Sequence, residues 1–263
     1  MAVEPTSYEL PGSNFPAYML FEGGSNKTET TPLPVLAATQ LCETKKTVFW
    51  DEDTQVDFML GNLQLGNETY HGKLYVQNAE DIIPNLRCLT QLARERGIKR
   101  IKTADDHDEN TTETSDEPDF VTTYPHHCMR GTLGAEFIPE TDTENPYIIP
   151  WNAQSLDYSK LFQHRDIVLY KDSTDIFAEE GGNPFAEKVI ETINPDQVIS
   201  YGVAADICYD FAVMGMLKRY DFDLYIVSDA IKELPHSSLD EYLNKWESHG
   251  AKIIRTEEVK KYL

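Results

Sequence analysis

The chain is predicted to fold as an α/β protein, a three-layer sandwich with a mostly parallel sheet covered by helices on both faces. Three observations carry that expectation. Short runs rich in Val, Ile, Leu and aromatic residues recur along the chain, and segments of helical period separate them. Reactive side chains gather at the C-terminal ends of those runs, the edge on which such sheets bind ligands. The 263 residues, 40% of them hydrophobic, suffice for one large domain core.

In order, residues 1–45 are rich in Pro, Gly, Ser and Thr with little periodicity and read as an irregular arm, leaving 46–263 as the folded domain. KTVFWDED (46–53) is a first strand with an acidic end, and NLQLGNETYHGKLYV (62–76), broken by Gly66 and Gly72, is a hairpin or long loop. AEDIIPNLRCLTQLARERG (79–97) places Ile82, Ile83, Leu86, Leu89, Leu92 and Ala93 at helical spacing, with Gly97 as the stop. IKRIKTADDHD (98–108) is a second strand, and the polar, acidic ENTTETSDEPDF that follows is a surface loop. DIVLYK (166–171) is a third strand. NPFAEKVIETI (183–193) is a helix with Asn183 as N-cap and Pro184 at its first position. QVISYGV (197–203) and its helix DICYDFAVMGMLKR (206–219), then DLYIVSD (223–229), LDEYLNKWESHG (239–250) and AKIIR (251–255), continue the alternation.

A formal charge of −22 repels phosphate backbones and anionic lipid, which argues against nucleic-acid and membrane-surface partners. No apolar run approaches the roughly 20 residues that span a bilayer. The N-terminus lacks a basic segment followed by an apolar one, so no secretory signal is expected. Cys42, Cys88, Cys128 and Cys208 show neither a disulfide framework nor a C-x-x-C spacing, which points to a reducing, cytoplasmic setting. The N-x-[ST] triplets at Asn26, Asn67 and Asn110 are then chance matches.

Cys208 follows the small-residue run GVAAD at the entrance of a predicted helix. A cysteine there is either a small core hydrophobe or a thiol whose ionised form the helix N-terminus favours. The second reading needs a base, a cation and a pocket. Asp53, Asp105, His107 and Lys171 stand with Cys208 at or just beyond the ends of predicted strands, and five such residues on one sheet edge are hard to attribute to packing. No G-x-G-x-x-G, Walker loop or G-x-S-x-G occurs, so nucleotide-binding and serine-hydrolase readings lack their signatures.

Five segments, in order, resemble the motifs of the isochorismatase-like cysteine hydrolases, and of their nicotinamidase-like branch in particular: DTQVDFM (53–59), TADDH (103–107), YPHHCMRGTLGAEF (124–137), VLYK (168–171) and GVAADIC (202–208). The resemblance covers most of the chain from about residue 46 and implies a Rossmann-like hydrolase domain. It implies Cys208 as nucleophile, Asp53 as proton acceptor and Lys171 as the cation favouring the thiolate. The backbone N–H groups of Ala204 and Cys208 would form an oxyanion hole, beside a cis peptide between Val203 and Ala204.

Asp105, His107 and His127 would bind one divalent transition metal (Zn, Fe or Mn), which suits an oxygen–nitrogen donor set with open positions. Glu113, six residues after His107, stands where some relatives place a further histidine ligand. Phe58 and Tyr124, the latter in place of a common tryptophan, would sandwich a flat ring whose nitrogen meets the metal. The implied reaction is hydrolysis of a small amide, nicotinamide first, through a cysteinyl thioester. The alternatives are another amide, ureide or isochorismate-like substrate, or a non-catalytic binding protein on the same fold. The N-terminal arm, residues 61–77 and the acidic 108–123 loop exceed a minimal relative and are left between lids and subunit contacts of a homo-oligomer.

Overall fold

The computed structural model describes residues 45–263; the expected arm lies, except for its last residue, outside the described residues. Seven strands form one all-parallel sheet in the order β5-β6-β4-β1-β7-β8-β9. They are β1 (Thr47–Glu52), β4 (Lys99–Asp105), β5 (Tyr147–Ile149), β6 (Asp166–Lys171), β7 (Gln197–Val203), β8 (Asp223–Lys232) and β9 (Lys252–Ile254). A separate antiparallel hairpin, β2 (Leu63–Leu65) and β3 (Glu68–Tyr70), turns at Gly66. The helices are α1 (Val56–Met59), α2 (Ile83–Arg96), α3 (Lys160–Gln163), α4 (Ala186–Ile193), α5 (Cys208–Arg219) and α6 (Leu239–Ser248). Among the described residues no helix is long and apolar enough to cross a membrane.

Strand register assigns the layers. Phe49 and Asp51 of β1 pair with Arg100 and Lys102 of β4, and Arg100 donates to Thr90 Oγ1 of α2, so this face lies under α2. Trp50 alternates to the other face and stacks on Phe177, which packs against Gly215 and Arg219 of α5. On that side α6 joins α5 through Trp246 Nε1, which donates to Asp210.

Chain order reverses around β1, with β4 on one side and β7 on the other, so the switch point falls at Asp53, just after β1. That is where parallel sheets of this kind open a ligand crevice. At Gly202 the adjoining strand comes so close that a Cβ would lie 2.1 Å from Glu52 O, and φ is +130°; only glycine fits.

Most predicted elements stand where the periodicity placed them, and Gly97 ends α2 in the left-handed conformation (φ 64°). Asn183 is a correction. Helix α4 begins at Ala186 with Phe185 at its cap, and the Asn183 amide instead donates to Ile149 O (2.8 Å) and Tyr170 O (2.9 Å), tying β5 to β6. The side-chain oxygen still accepts from Phe185 N (3.0 Å), closing a turn just ahead of the helix rather than capping its first residue.

Candidate active site

The residues singled out at the strand ends converge. Lys171, at the end of β6 and fully buried, is the hub. Its Nζ lies 2.9 Å from Asp53 Oδ2 and 3.7 Å from Cys208 Sγ, and it donates to Asp105 Oδ1 at the end of β4. Asp53 also accepts from Thr103 Oγ1 (2.7 Å) through Oδ1, whereas Oδ2 has no hydrogen-bond partner beyond its ion-pair contact. Cys208 opens α5, 7% exposed, at the bend that carries the cis peptide between Val203 and Ala204. Ala204 O takes the N–H groups of Ile207 and Tyr209, while among the described residues the N–H groups of Ala204 and Cys208 meet no protein acceptor.

Burial decides the resting charges. It would lower Lys171, but the carboxylates of Asp105 and Asp53 reverse that and hold the ammonium charged. Burial raises Asp105 as well, and Lys171 and His107 overcome it, so Asp105 is an anion. Asp53 is raised: burial and Asp105 outweigh Lys171. Cys208 is pushed well above the ordinary thiol value by burial, against the pull of Lys171. Lys171 therefore stands beside the sulfur, yet it does not by itself ionise it. The resting group is a thiol, beside a carboxyl with raised proton affinity.

Beside this trio the donor atoms of Asp105, His107 and His127 lie within 4.8 Å of one another, all buried. Asp105 Oδ2 is 3.5 Å from His107 Nε2 and 3.4 Å from His127 Nε2. The opposite ring nitrogens are engaged: His107 Nδ1 pairs with Asp172 Oδ1 (2.9 Å) and His127 Nδ1 with Pro125 O (2.7 Å). Such outer partners orient imidazoles toward a metal. His107 Nε2 is buried without a hydrogen-bond partner. Burial would lower the His107 pKa, but Asp105 and Asp172 raise it to about 9. The negative field that draws a proton there draws a cation equally, so the donor set fits a divalent metal. Glu113 stands outside this set: its Oε1 accepts from Thr174 N (2.9 Å).

The adjoining cavity is narrow, about 40 Å³ in which water can sit, and both Phe58 and Tyr124 line it with Asp53, Asp105, His127, Ala204 and Cys208. The Phe58 ring lies 5.3 Å and the Tyr124 ring 6.4 Å from that of His127. Leu74, Val76, Val203, Ile207, Leu234 and Thr174 complete the wall. Leu74 and Val76 come from the segment left unassigned between lid and subunit contact, and the acidic loop holds Tyr124 through paired backbone bonds with Glu113 and Ser115.

Three supporting residues escaped the sequence reading. Gln55 clamps the Asp105 backbone with two bonds of 2.8 Å. Asp172 orients His107. Asp57 accepts from Tyr70 Oη, Lys73 N and Cys128 N (2.7–2.8 Å), joining the hairpin segment to the His127 loop. Of these, Asp57 and Gln55 fall within the quoted DTQVDFM segment, which was the available signal.

No protein-family model and no curated protein sequence matches the chain. Solved structures do. A pyrazinamidase of Pyrococcus horikoshii in complex with zinc is similar at TM-score 0.60 and 22% identity, covering 80% of this chain and 99% of its own. An isochorismatase family protein from Desulfovibrio vulgaris gives 0.60, 16%, 82% and 97%. This chain has the isochorismatase-family fold. PnC1 from L. infantum, in complex with nicotinate, shares that fold at TM-score 0.59 and 20% identity, with 81% of this chain and 94% of that one covered.

Proposed function

We propose that this isochorismatase-fold chain is a metal-containing cysteine amidohydrolase that converts a small planar carboxamide, nicotinamide first, to the carboxylate and ammonia. The observation that carries the reading is Lys171. One buried ammonium touches the candidate nucleophile Cys208, the candidate base Asp53 and the candidate metal ligand Asp105. Packing alone gives no reason to gather these four groups at a switch point.

The chemistry follows from the protonation states. Asp53 Oδ2 takes the Cys208 proton as sulfur attacks the carboxamide carbon, with Lys171 balancing the charge left behind. The free N–H groups of Ala204 and Cys208 are the donors available to the developing oxyanion. Asp53 then returns the proton to the leaving nitrogen, releasing ammonia and leaving an acyl group on sulfur. Water attacks the thioester, Asp53 again accepts a proton, and the thiol is restored with the carboxylate as product. Asp105, His107 and His127 would hold the metal, and when bound it supplies a Lewis-acidic cation for a substrate lone pair and for water. Phe58 and Tyr124 give the ring two aromatic walls.

A zinc-containing pyrazinamidase and a nicotinate complex on the same fold support this substrate class. The test is ammonia release from a panel of nicotinamide, benzamide, aliphatic amides and ureides. Release from nicotinamide is expected. Activity confined to an aliphatic amide or ureide would keep the cysteine chemistry and remove nicotinamide, and silence on the whole panel would favour a binding protein.

A further inference from the structure

One buried titratable group beside the site has no part in this mechanism. Glu52 closes β1, fully buried, directly before Asp53. Register pairs it with Gly202 of β7, with Trp50 and Ser200 behind on the same face, and Thr103 of β4 follows Lys102, the partner of Asp51. Trp50 Nε1 donates to Glu52 Oε2 (2.5 Å), and Oε1 has no partner. The cation of this region, Lys171, is already engaged by Asp53 and Asp105. Among the described residues no ion pair reaches Glu52. A buried carboxylate with one neutral donor and no cation is costly, and the usual escape is to keep its proton.

We propose that Glu52 is a positioning residue held as a neutral carboxylic acid on the sheet face that packs toward α5, so that, once ionised, it sets a second negative charge against the Cys208 thiolate. The inference rests on the reading of Cys208 as nucleophile. The titratable and charged groups around Glu52 are Asp53 from its own strand's end, Lys171 from β6, and Cys208 and Tyr209 from α5. Thr103 from β4 and Ser200 from β7 add only hydroxyls. Burial and then Asp53 push Glu52 well above the ordinary carboxylate value, with Lys171, Trp50 and Thr103 opposing. In the same sense, Glu52 adds to the upward push on both Cys208 and Tyr209. With Glu52 neutral, Cys208 ionises against Asp53 and Asp105 only. With Glu52 charged, the two titrations oppose each other.

The test is the pH profile of Cys208 alkylation by iodoacetamide in wild type and Glu52→Gln, with infrared spectra of the same proteins. Neither readout needs turnover, so a chain that hydrolyses no amide still reports on Glu52. Near neutral pH the two alkylation rates should agree within about threefold, and at alkaline pH Glu52→Gln should be faster by about tenfold or more. The wild-type spectrum should carry a protonated-carboxyl C=O band that survives in Asp53→Asn, disappears in Glu52→Gln and fades at alkaline pH. A tenfold acceleration by Glu52→Gln already at neutral pH would mean Glu52 is an anion and overturn the proposal. Superimposable profiles at every pH, or no such band in Asp53→Asn, would overturn it as well.

Discussion

Two buried charge clusters lie on neighbouring strands of the same sheet, and they are built on opposite principles. Under α2, Arg100 and Lys102 each hold a different carboxylate, and Asp166 is shared with Arg165. Arg100 binds Asp166 in bidentate fashion (3.0 and 2.9 Å) and gives its remaining N–H groups to Thr90, Thr141 O and Asp142 O. Lys102 meets Asp51 at 2.5 Å and Thr54 at 3.2 Å. At the strand ends, one lysine serves Asp53 and Asp105 together, with Cys208 at 3.7 Å and buried oxygen and nitrogen atoms left without partners at Asp53, His107 and Glu52. The first cluster is satisfied and structural. The second keeps unmet demand for protons and cations, which is what a reacting site requires and a framework avoids.

The largest expected contrast is in activity. Asp53→Asn should keep the fold and lower kcat by about 10²–10⁴, the usual share of a positioned general base. A kcat within a few-fold of wild type would remove Asp53 from the proton path. Arg100→Ala tests the opposite cluster: Asp166 loses its bidentate partner and keeps, as a cation, only Arg165 at its edge (3.1 Å), so urea unfolding should show a loss of about 3 kcal/mol, with kcat of the folded fraction retained. A loss under about 1 kcal/mol would mean the pair is not the structural element argued here.

The same pair makes a pH prediction. Burial would raise Asp166, but the guanidiniums of Arg100 and Arg165 hold it well below the usual carboxylate range. A depressed folded pKa means the unfolded chain binds more protons, so this contribution is complete above about pH 4 and is lost as pH falls below it. Acid unfolding of Arg100→Ala should therefore lose this part of its pH dependence. Asp53, shifted upward, should act in the other direction on catalysis, moving the acid limb of kcat/KM above the ordinary aspartate range.

Much of this contrast was hidden from the sequence. Strand and helix positions were legible because apolar periodicity reports burial, and Asp53, Asp105, His107, Lys171 and Cys208 were legible because each sits at a strand end. Asp51, Glu52, Arg100 and Lys102 sit inside strands, where a charge reads as an acidic or basic end until the partner across the sheet is known. Strand β5 is three residues long and carries no period to detect. Leu74, Leu234 and Thr174 reach the cavity from loops, through contacts that only the tertiary fold creates. Asn183 looked like a cap because its side-chain oxygen does close a local turn onto Phe185 N; what the sequence hid is that the helix starts only at Ala186 and that the amide nitrogen ties β5 to β6.

Smaller effects test the proposed metal assignment. Purified protein should carry about one Zn, Fe or Mn ion per chain, and His127→Ala should lose it. Elemental analysis finding no such ion in active protein would contradict the assignment of Asp105, His107 and His127. The smallest effect expected is in substrate preference: nicotinamide should exceed benzamide in kcat/KM by at least about tenfold, roughly 1.4 kcal/mol. Equal rates would mean the ring nitrogen is not held.

The central claim is that Cys208 is the nucleophile, and ammonia release by Cys208→Ala tests it most directly. The variant removes little volume at the entrance of α5, so circular dichroism and metal content should match wild type while turnover falls to background. Ammonia release at the wild-type rate from the folded variant would contradict the thioester mechanism.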